Sequence, residues 1–295
     1  MTKSNMDQFT RDWIIKNAKE ILEEYYEGMT VRQLHYRLVS RGMTNDLQHY
    51  KRVVGAMVKA RWNGTVHFSD FIDRDRSMYG ETAQDEIDLN DKIDKGKHQV
   101  KAWMESYRLN RWSNQENYVE VWIEKKALQG VFESPCLFND VGLAPCKGYP
   151  SLSFLYEALP RFKKAIETGK TPIILYFGDY DPSGQNIPET IKENLSKMGV
   201  DVILKPIALN QDQIKEMNLP GVPAKTTDSR SNNWTGGNVV ELDAIEPKTL
   251  KKMCEKSIRE HFNTDLFDEL KIKESEEKQQ YTQALKDYVR NMELD

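Results

Sequence analysis

Ile173-Ile174-Leu175-Tyr176-Phe177-Gly178-Asp179-Tyr180-Asp181-Pro182-Ser183-Gly184 is an apolar run of strand length that ends abruptly in two carboxylates spaced i, i+2. Residues i and i+2 of an extended chain point the same way, so Asp179 and Asp181 can converge on one hard cation. Mg²⁺ prefers carboxylate oxygens and keeps waters for a substrate phosphate, so the pattern points to a phosphate-handling metal site. Pro182 and Gly184 turn the chain into the next helix. The same residues could open a calcium EF-hand loop, but the twelfth position is Thr190 rather than Glu, Pro188 interrupts the loop, and a strand precedes it instead of a helix. A haloacid-dehalogenase-like phosphatase, with Asp179 as nucleophile, and a plain turn with two solvated Asp both stay open on this motif alone.

Working outward, Tyr118-Val119-Glu120-Val121-Trp122-Ile123 is a second strand-like run, β-branched and aromatic. It ends in Glu124, followed by the helix-like stretch from Lys125 to Phe132. Then come Gly142-Leu143-Ala144-Pro145-Cys146 and Gly148-Tyr149-Pro150, an amphipathic segment from Ser151 to Thr168, the Asp strand, a helix from about Pro188 to Met198, and Val202-Ile203-Leu204. Strands alternating with helices predict an α/β fold with a parallel sheet. Open α/β sheets place their sites at the carboxyl ends of the strands, which is where Glu124, Asp179 and Asp181 fall.

Before this region, Gln8 to Tyr26 reads as an amphipathic helix through Phe9, Trp13, Ile14, Ile21, Leu22 and Tyr25. Thr30 and Gln33 form a capping box opening a second helix, a third runs from about Asp46 to Trp62, and Asn63-Gly64 turns into the wing-like Thr65-Val66-His67-Phe68. Helices followed by a hairpin-like wing suit a helix-turn-helix DNA reader. On the second helix Val31, Leu34, His35 and Leu38 share one face, and Tyr36 lies off it on the side of Arg32 and Ser40, which predicts a surface tyrosine. Tyr25, Tyr26 and Tyr50 read as packing residues. The chain carries a formal net charge of -4, yet from Thr30 to Trp62 the basic residues Arg32, Arg37, Arg41, Lys51, Arg52, Lys59 and Arg61 face only Asp46 in acid. Such a basic surface neutralises phosphates, so Arg32, Arg37, Arg41, Lys51, Arg52 and Lys59 are the candidate contacts to double-stranded DNA.

Ile123-Glu124-Lys125-Lys126-Ala127, Lys147-Gly148-Tyr149-Pro150 and Asp179-x-Asp181-Pro182-x-Gly184, in that order and spacing, resemble the TOPRIM domain of the topoisomerase VI A subunit and its relative, the meiotic double-strand-break transesterase. The chain is most similar to the compact stand-alone versions called topoisomerase VI mini-A, found in bacteria and viruses. The resemblance implies a Rossmann-like TOPRIM sheet domain behind an N-terminal winged-helix (CAP-like) domain. It also implies that Asp179 and Asp181, with Glu124, hold Mg²⁺ (or Mn²⁺), and that Glu124 assists acid/base steps at the leaving or returning hydroxyl. Arg32-Gln33-Leu34-His35-Tyr36 resembles the nucleophile motif, which implies that Tyr36 attacks the phosphodiester and stays linked to the 5′ end, and Arg61, with Arg52 as the alternative, matches the family's Arg near that phosphate. In the family each protomer's Tyr reaches its partner's metal site, so a homodimer is expected. The topoisomerase takes ATP on a separate B subunit, and no nucleotide-binding region is evident in this chain. The motif carries His35 where better-known members have an aromatic and Gln33 where they have an acid, and Ser151 and Phe154-Leu155 depart from the family's Asp and Thr-Arg after Gly148-Tyr149-Pro150.

The resulting division is 1–75 winged helix, 76–116 connector with one or two helices, 117–250 TOPRIM domain and 251–295 C-terminal helices. Thr226 to Asn238 reads as a polar loop in which Lys225, Arg230 and Trp234 solvate a surface, and Glu241 and Asp243 read as structural. Three Cys without paired spacing, no bilayer-length apolar run and no signal peptide point to a reducing cytoplasm, with no membrane partner and a bacterial or viral, nucleoid-associated setting. The five His are scattered, so no zinc site is expected. The expected activity is metal-dependent DNA cleavage by Tyr36. The alternatives are a TOPRIM nuclease using water, and a DNA-binding or scaffold protein idle without a partner. A phosphatase ranks last because it leaves Glu124 and the basic helix unexplained.

Overall fold

The computed structural model describes residues 8–23, 28–72, 88–223, 234 and 236–291. Three helices come first: α1 (Arg11–Glu23), α2 (Val31–Ser40) and α3 (Leu47–Trp62). In α1 the spacing of Ile14, Ala18, Ile21 and Leu22 gives one apolar face, and all four are buried. The capping box at α2 is present: the Gln33 N–H donates to Thr30 Oγ1 at 3.2 Å and the Thr30 N–H donates to Gln33 Oε1 at 2.9 Å. Asp46 caps α3 by accepting the His49 N–H at 2.7 Å. Phe9, Ile14, Leu34, Leu38, Val53 and Met57 meet in the core of this three-helix unit.

The expected wing is absent among the described residues. Asp70 accepts the His67 N–H at 2.8 Å and draws the chain into a 3-10 turn, Phe68–Asp70, and Phe71 then bridges Met29 in parallel. A hairpin at Thr65–Phe68 would need a returning strand, and the backbone is committed elsewhere. The connector contributes α4 (Leu89–Met104), which buries none of its residues and packs on the long α10 (Thr264–Asn291).

The rest is α/β. Strands β1 (Asn117–Ile123), β2 (Gly142–Pro145), β3 (Thr171–Phe177) and β4 (Ile203–Ala208) form one parallel sheet in the order β2-β1-β3-β4. Side chains alternate between its faces as the two-residue period requires. Val119, Val121, Ile123, Ile173, Leu175 and Phe177 join one buried cluster with residues of α5 (Gln129–Phe138) and α9 (Pro247–Arg259). Trp122, Ile174 and Tyr176 join another with α6 (Leu152–Glu167) and α7 (Pro182–Lys197). A short α8 (Gln211–Glu216) follows β4. Helices therefore cover both faces of a parallel sheet. Ile123 pairs with Phe177 in register, so the residues after β1 and β3 emerge side by side. Among the described residues no helix is long and apolar enough to cross a membrane.

The Asp181-Pro182 step starts α7 six residues earlier than the sequence reading placed it. Asp181 is the N-cap, with Oδ1 accepting the Gly184 N–H at 2.6 Å, and Pro182 sits in the first turn, where a missing N–H costs nothing. Pro188, read as the helix start, lies inside the helix.

Candidate active site

Glu124 and Asp179 meet at the ends of β1 and β3, and Asp181 stands two residues on as the N-cap of α7. Glu124 follows β1, and its Oε2 accepts the Asp179 N–H at 2.9 Å and the Tyr176 hydroxyl at 3.5 Å. Asp179 follows β3 after Gly178, and its Oδ1 accepts the Leu242 N–H at 2.7 Å. Two glycines make this crowding possible: a Cβ on Gly178 would stand 2.8 Å from Glu124 Oε2, and one on Gly184 only 2.2 Å from the Asp179 carbonyl oxygen. Burial, together with the charge of Asp179 and then of Asp181, pushes Glu124 up to about 7, against the backbone hydrogen bond from Asp179 that favours its charged form. Burial also pushes Asp179 up to about 6, against the pull of Lys125. The pair titrates jointly. By contrast Glu120, also buried, is fully paired with Arg161, the Tyr118 hydroxyl and the Trp122 indole, as a structural carboxylate should be.

Lys125 is the cation that three of the site's carboxylates share. Its Nζ lies 2.9 Å from Asp179 Oδ2, 2.8 Å from Glu241 Oε2 and 3.6 Å from Asp243 Oδ2. Burial alone would lower its pKa, but these carboxylates raise it above the ordinary lysine value. Burial would raise the Glu241 carboxyl, yet Lys125 and Arg32 hold it below its usual range. Burial keeps Asp243 above its usual range despite the same two cations. The sequence reading treated Glu241 and Asp243 as structural and gave Lys125 no role. The structure brings all three to the site, because Tyr180 pairs with Val240 in an antiparallel bridge and a 3-10 turn, Leu242–Ala244, follows at once.

As they stand, no three His, Cys, Asp or Glu side chains among the described residues are grouped closely enough to hold a metal ion. Lys125 is interposed at Asp179, and Asp181 spends one oxygen on capping α7. The donor set nonetheless fits a hard divalent cation: it consists of carboxylate oxygens, and Glu124 and Asp179 repel each other in a way that such an ion would relieve. Glu124, Asp179 and Asp181 are the residues that would hold it.

Tyr36 departs from its expected surface position, being only 5% exposed. A helical wheel with one apolar face assumes one covered face, and α2 is covered on two. Leu34 and Leu38 face the three-helix core, whereas Tyr36 joins the apolar cluster of the α/β sheet together with Val240, Leu242 and Ala244. The docking is polar around its edge. Arg32 pairs with Glu241, its Nε lies 3.6 Å from Asp243 Oδ2, and Arg37 donates to the Ala244 carbonyl. A cavity of about 600 Å³ is lined by Arg32, His35, Tyr36 and Tyr50 on one side and by Asp179, Asp181 and Glu241 on the other. A neighbouring cavity of about 680 Å³ is lined by Glu124, Lys125, Lys147 and Gly148, and it shares Arg32, Asp179 and Glu241 with the first. Burial, and then the Glu241 charge, raises the Tyr36 phenol to about 12, against the opposing pull and hydrogen bond of Arg32. Burial lowers His35 to about 4, so it is neutral near pH 7. Tyr50, expected to pack, stacks edge-on against His35 at 5.6 Å.

The expected DNA contacts separate into two groups. Arg32 and Arg37 belong to the interface just described, and Arg41 pairs with Glu20 at 2.5 Å. Lys51 and Lys59 lie exposed along α3, with Arg52 half-buried beside them. Arg61 does not line either cavity. Its Nε donates to the Met57 carbonyl, and its guanidinium lies 4.9 Å from the Phe71 ring centroid and 5.8 Å from that of Phe68. Trp234 stacks on Tyr180. Tyr25, Tyr26, Lys225 and Arg230 lie outside the described residues. Comparison with protein-family models, with curated proteins and with solved structures finds no match.

Proposed function

We propose that this protein binds double-stranded DNA and cleaves it with the help of Mg²⁺ or Mn²⁺, as a relative of the type IIB topoisomerase A subunits built from a three-helix unit and a TOPRIM-like sheet. The observation that carries this reading is the single cavity in which a tyrosine with an arginine partner faces two strand-end aspartates. A bound cation would neutralise the non-bridging oxygens of a phosphodiester, the main requirement of phosphoryl transfer. The chain's own groups supply the remainder. The Tyr36 oxygen bonds to phosphorus as the bond to the 3′ oxygen breaks, leaving a 5′-phosphotyrosyl link and a free 3′ hydroxyl. With Asp179 and Asp181 holding the cation, Glu124 would give its proton to the leaving oxygen, its raised pKa keeping that proton available near neutral pH. The phenol proton passes to Glu241, whose charge bears on Tyr36, and Arg32, hydrogen-bonded to the Tyr36 side chain, steadies the phenolate. Lys51, Arg52 and Lys59 on α3 supply the sequence-independent attraction to backbone phosphates.

One observation favours a second reading. Tyr36 is buried and hard to ionise, which suits a hydrolytic nuclease in which water attacks and Tyr36 only packs. End-labelled supercoiled and linear DNA incubated with protein in Mn²⁺, quenched with detergent and split with and without protease, separates the two. Covalent adducts on 5′ ends that vanish in Tyr36→Phe and Asp179→Ala support the tyrosine transesterase. Cleavage persisting in Tyr36→Phe makes the protein a nuclease, and binding without cleavage in any form refutes both.

A further inference from the structure

We propose that the C-terminal end of α3 is a stacking platform for unpaired nucleobases, made of the Trp62 and Phe68 rings and served by the cations of α3, so that the protein holds single-stranded nucleic acid at a place apart from the strand-end carboxylates. The inference goes beyond the cleavage reading and does not depend on it. Trp62 is 79% exposed and Phe68 55%, and neither joins an apolar core, whereas Trp112 and Trp122 are buried. The two rings meet edge to face, with centroids 5.3 Å apart and planes at 76°. Their placement is fixed by the turn that stands where a wing was expected. Trp62 ends α3, and Phe68 opens the 3-10 turn that Asp70 holds by accepting the His67 N–H. The Arg61 guanidinium lies 5.8 Å from the Phe68 centroid and 4.9 Å from that of Phe71, which bridges Met29. An exposed aromatic pair braced in this way loses little freedom when a third ring stacks on it.

The charge around the platform selects the occupant. The 16 residues of α3 include no Asp or Glu but contain Lys51, Arg52, Lys59 and Arg61. Val58, Lys59 and Trp62 are exposed together within about one turn, and Lys51 lies about three turns back on the same side as Trp62. A phosphate backbone can run past Lys51 and Lys59 while a base turns onto Trp62. That combination of cationic track and aromatic ring binds single strands with little regard for sequence. The base faces of an intact duplex are covered by their neighbours, so a duplex can use the lysines but not the rings. A second copy seated symmetrically on the patch would set the cations of α3 against one another. Trp62 and Phe68 line neither cavity at the carboxylates. The consequence is a preference for DNA with a gap, tail or bubble, set by a surface outside the cutting site.

The test uses the full-length chain and fluorescence anisotropy in EDTA, so that metal-dependent cleavage plays no part. Labelled oligo-dT is compared with a dumbbell duplex that has no free ends, on wild type and on Trp62→Ala, Trp62→Phe and Lys59→Gln, each first shown to melt as wild type does. Loss of one stacked base in Trp62→Ala should weaken oligo-dT binding about 5- to 150-fold, with Trp62→Phe recovering most of it and duplex binding changing less than about 2-fold. Lys59→Gln should weaken both DNAs and flatten the salt dependence for oligo-dT by a slope of about 0.7. Oligo-dT should also quench the tryptophan emission of wild type more than that of Trp62→Phe. Equal losses on the two DNAs, or an unchanged oligo-dT affinity in Trp62→Ala, overturns the platform. So does sedimentation in which wild type self-associates, Trp62→Ala does not and oligo-dT fails to compete, since a second copy then covers the rings. The cleavage reading stands or falls separately. A wild type that cuts duplex DNA without holding oligo-dT loses only the platform, and one that holds oligo-dT through Trp62 without cutting any DNA keeps it.

Discussion

Replacing Glu124 by Gln should make the metal-free protein more stable above neutral pH. Glu124 titrates at about 7 against an ordinary 4.5, raised by burial and then by Asp179 and Asp181. An acid whose folded pKa is raised contributes stability that is fully present below its unfolded pKa and is lost as pH rises through the folded value. For Glu124 that window runs from about 4.5 to about 7. At 1.36 kcal/mol per pKa unit the difference of 2.5 units is about 3.4 kcal/mol. Sharing of the repulsion with Asp179, and partial contact with solvent, reduce this to about 1–3 kcal/mol. Gln is a neutral stand-in for the protonated acid and keeps an oxygen to accept the Asp179 N–H. Thermal melts in EDTA between pH 4 and pH 8.5 should therefore nearly superimpose at the acid end and separate at the alkaline end, with Glu124→Gln melting a few degrees higher, at roughly 2–4 °C per kcal/mol for a chain of this size. A variant less stable than wild type at pH 8 would refute the picture of two carboxylates forced together.

Further outcomes follow from the same cluster. Mn²⁺ affinity, measured by titration calorimetry, should strengthen as pH rises through about 6, because Asp179 must lose its proton to act as a ligand; a flat profile would mean the metal sits elsewhere. Lys125→Met leaves Asp179, Glu241 and Asp243 without their shared cation, which should cost about 3–5 kcal/mol, as for a buried pair broken on one side. Millimolar Mg²⁺ should return part of that loss, and a Mg²⁺ response no larger than that of wild type would count against Lys125 standing in for cationic charge. Gly184→Ala places a Cβ 2.2 Å from the Asp179 carbonyl oxygen and should cost more than about 2 kcal/mol and abolish the Mn²⁺ response, whereas Gly142→Ala, with its nearest atom at 3.6 Å, should leave both nearly unchanged. Equal melting of the two alanine variants would show that the turn after β3 can relax.

What was legible in the sequence was what local chemistry decides. The apolar runs Tyr118–Ile123 and Ile173–Phe177 and the Thr30–Gln33 box each need only neighbours within a few positions, and each forms as read. The helix expected from about Pro188 starts at Pro182 instead, because the Asp181-Pro182 pair supplies a first-turn proline and a capping oxygen together. The strand Gly142–Pro145 is too short and too poor in β-branched residues to announce itself, and it exists because β1 offers it an edge.

The remaining misses are all tertiary. The burial of Tyr36 depends on a second surface meeting α2 from more than two hundred positions away, which no periodicity within α2 encodes; the hydrophobic signal was split between Leu34 and Leu38 on one side and a lone aromatic on the other. Lys125 could be read as the start of a helix but not as the partner of Glu241, 116 positions later. One signal was available in principle. Val239-Val240-Glu241-Leu242-Asp243-Ala244 alternates apolar and acidic residues, and a run that buries its apolar positions must carry its acids to wherever its other face points. Since Val240 pairs with Tyr180, between the two aspartates, those acids had to find cations at the same strand end, and Lys125 and Arg32 are what the fold supplies there.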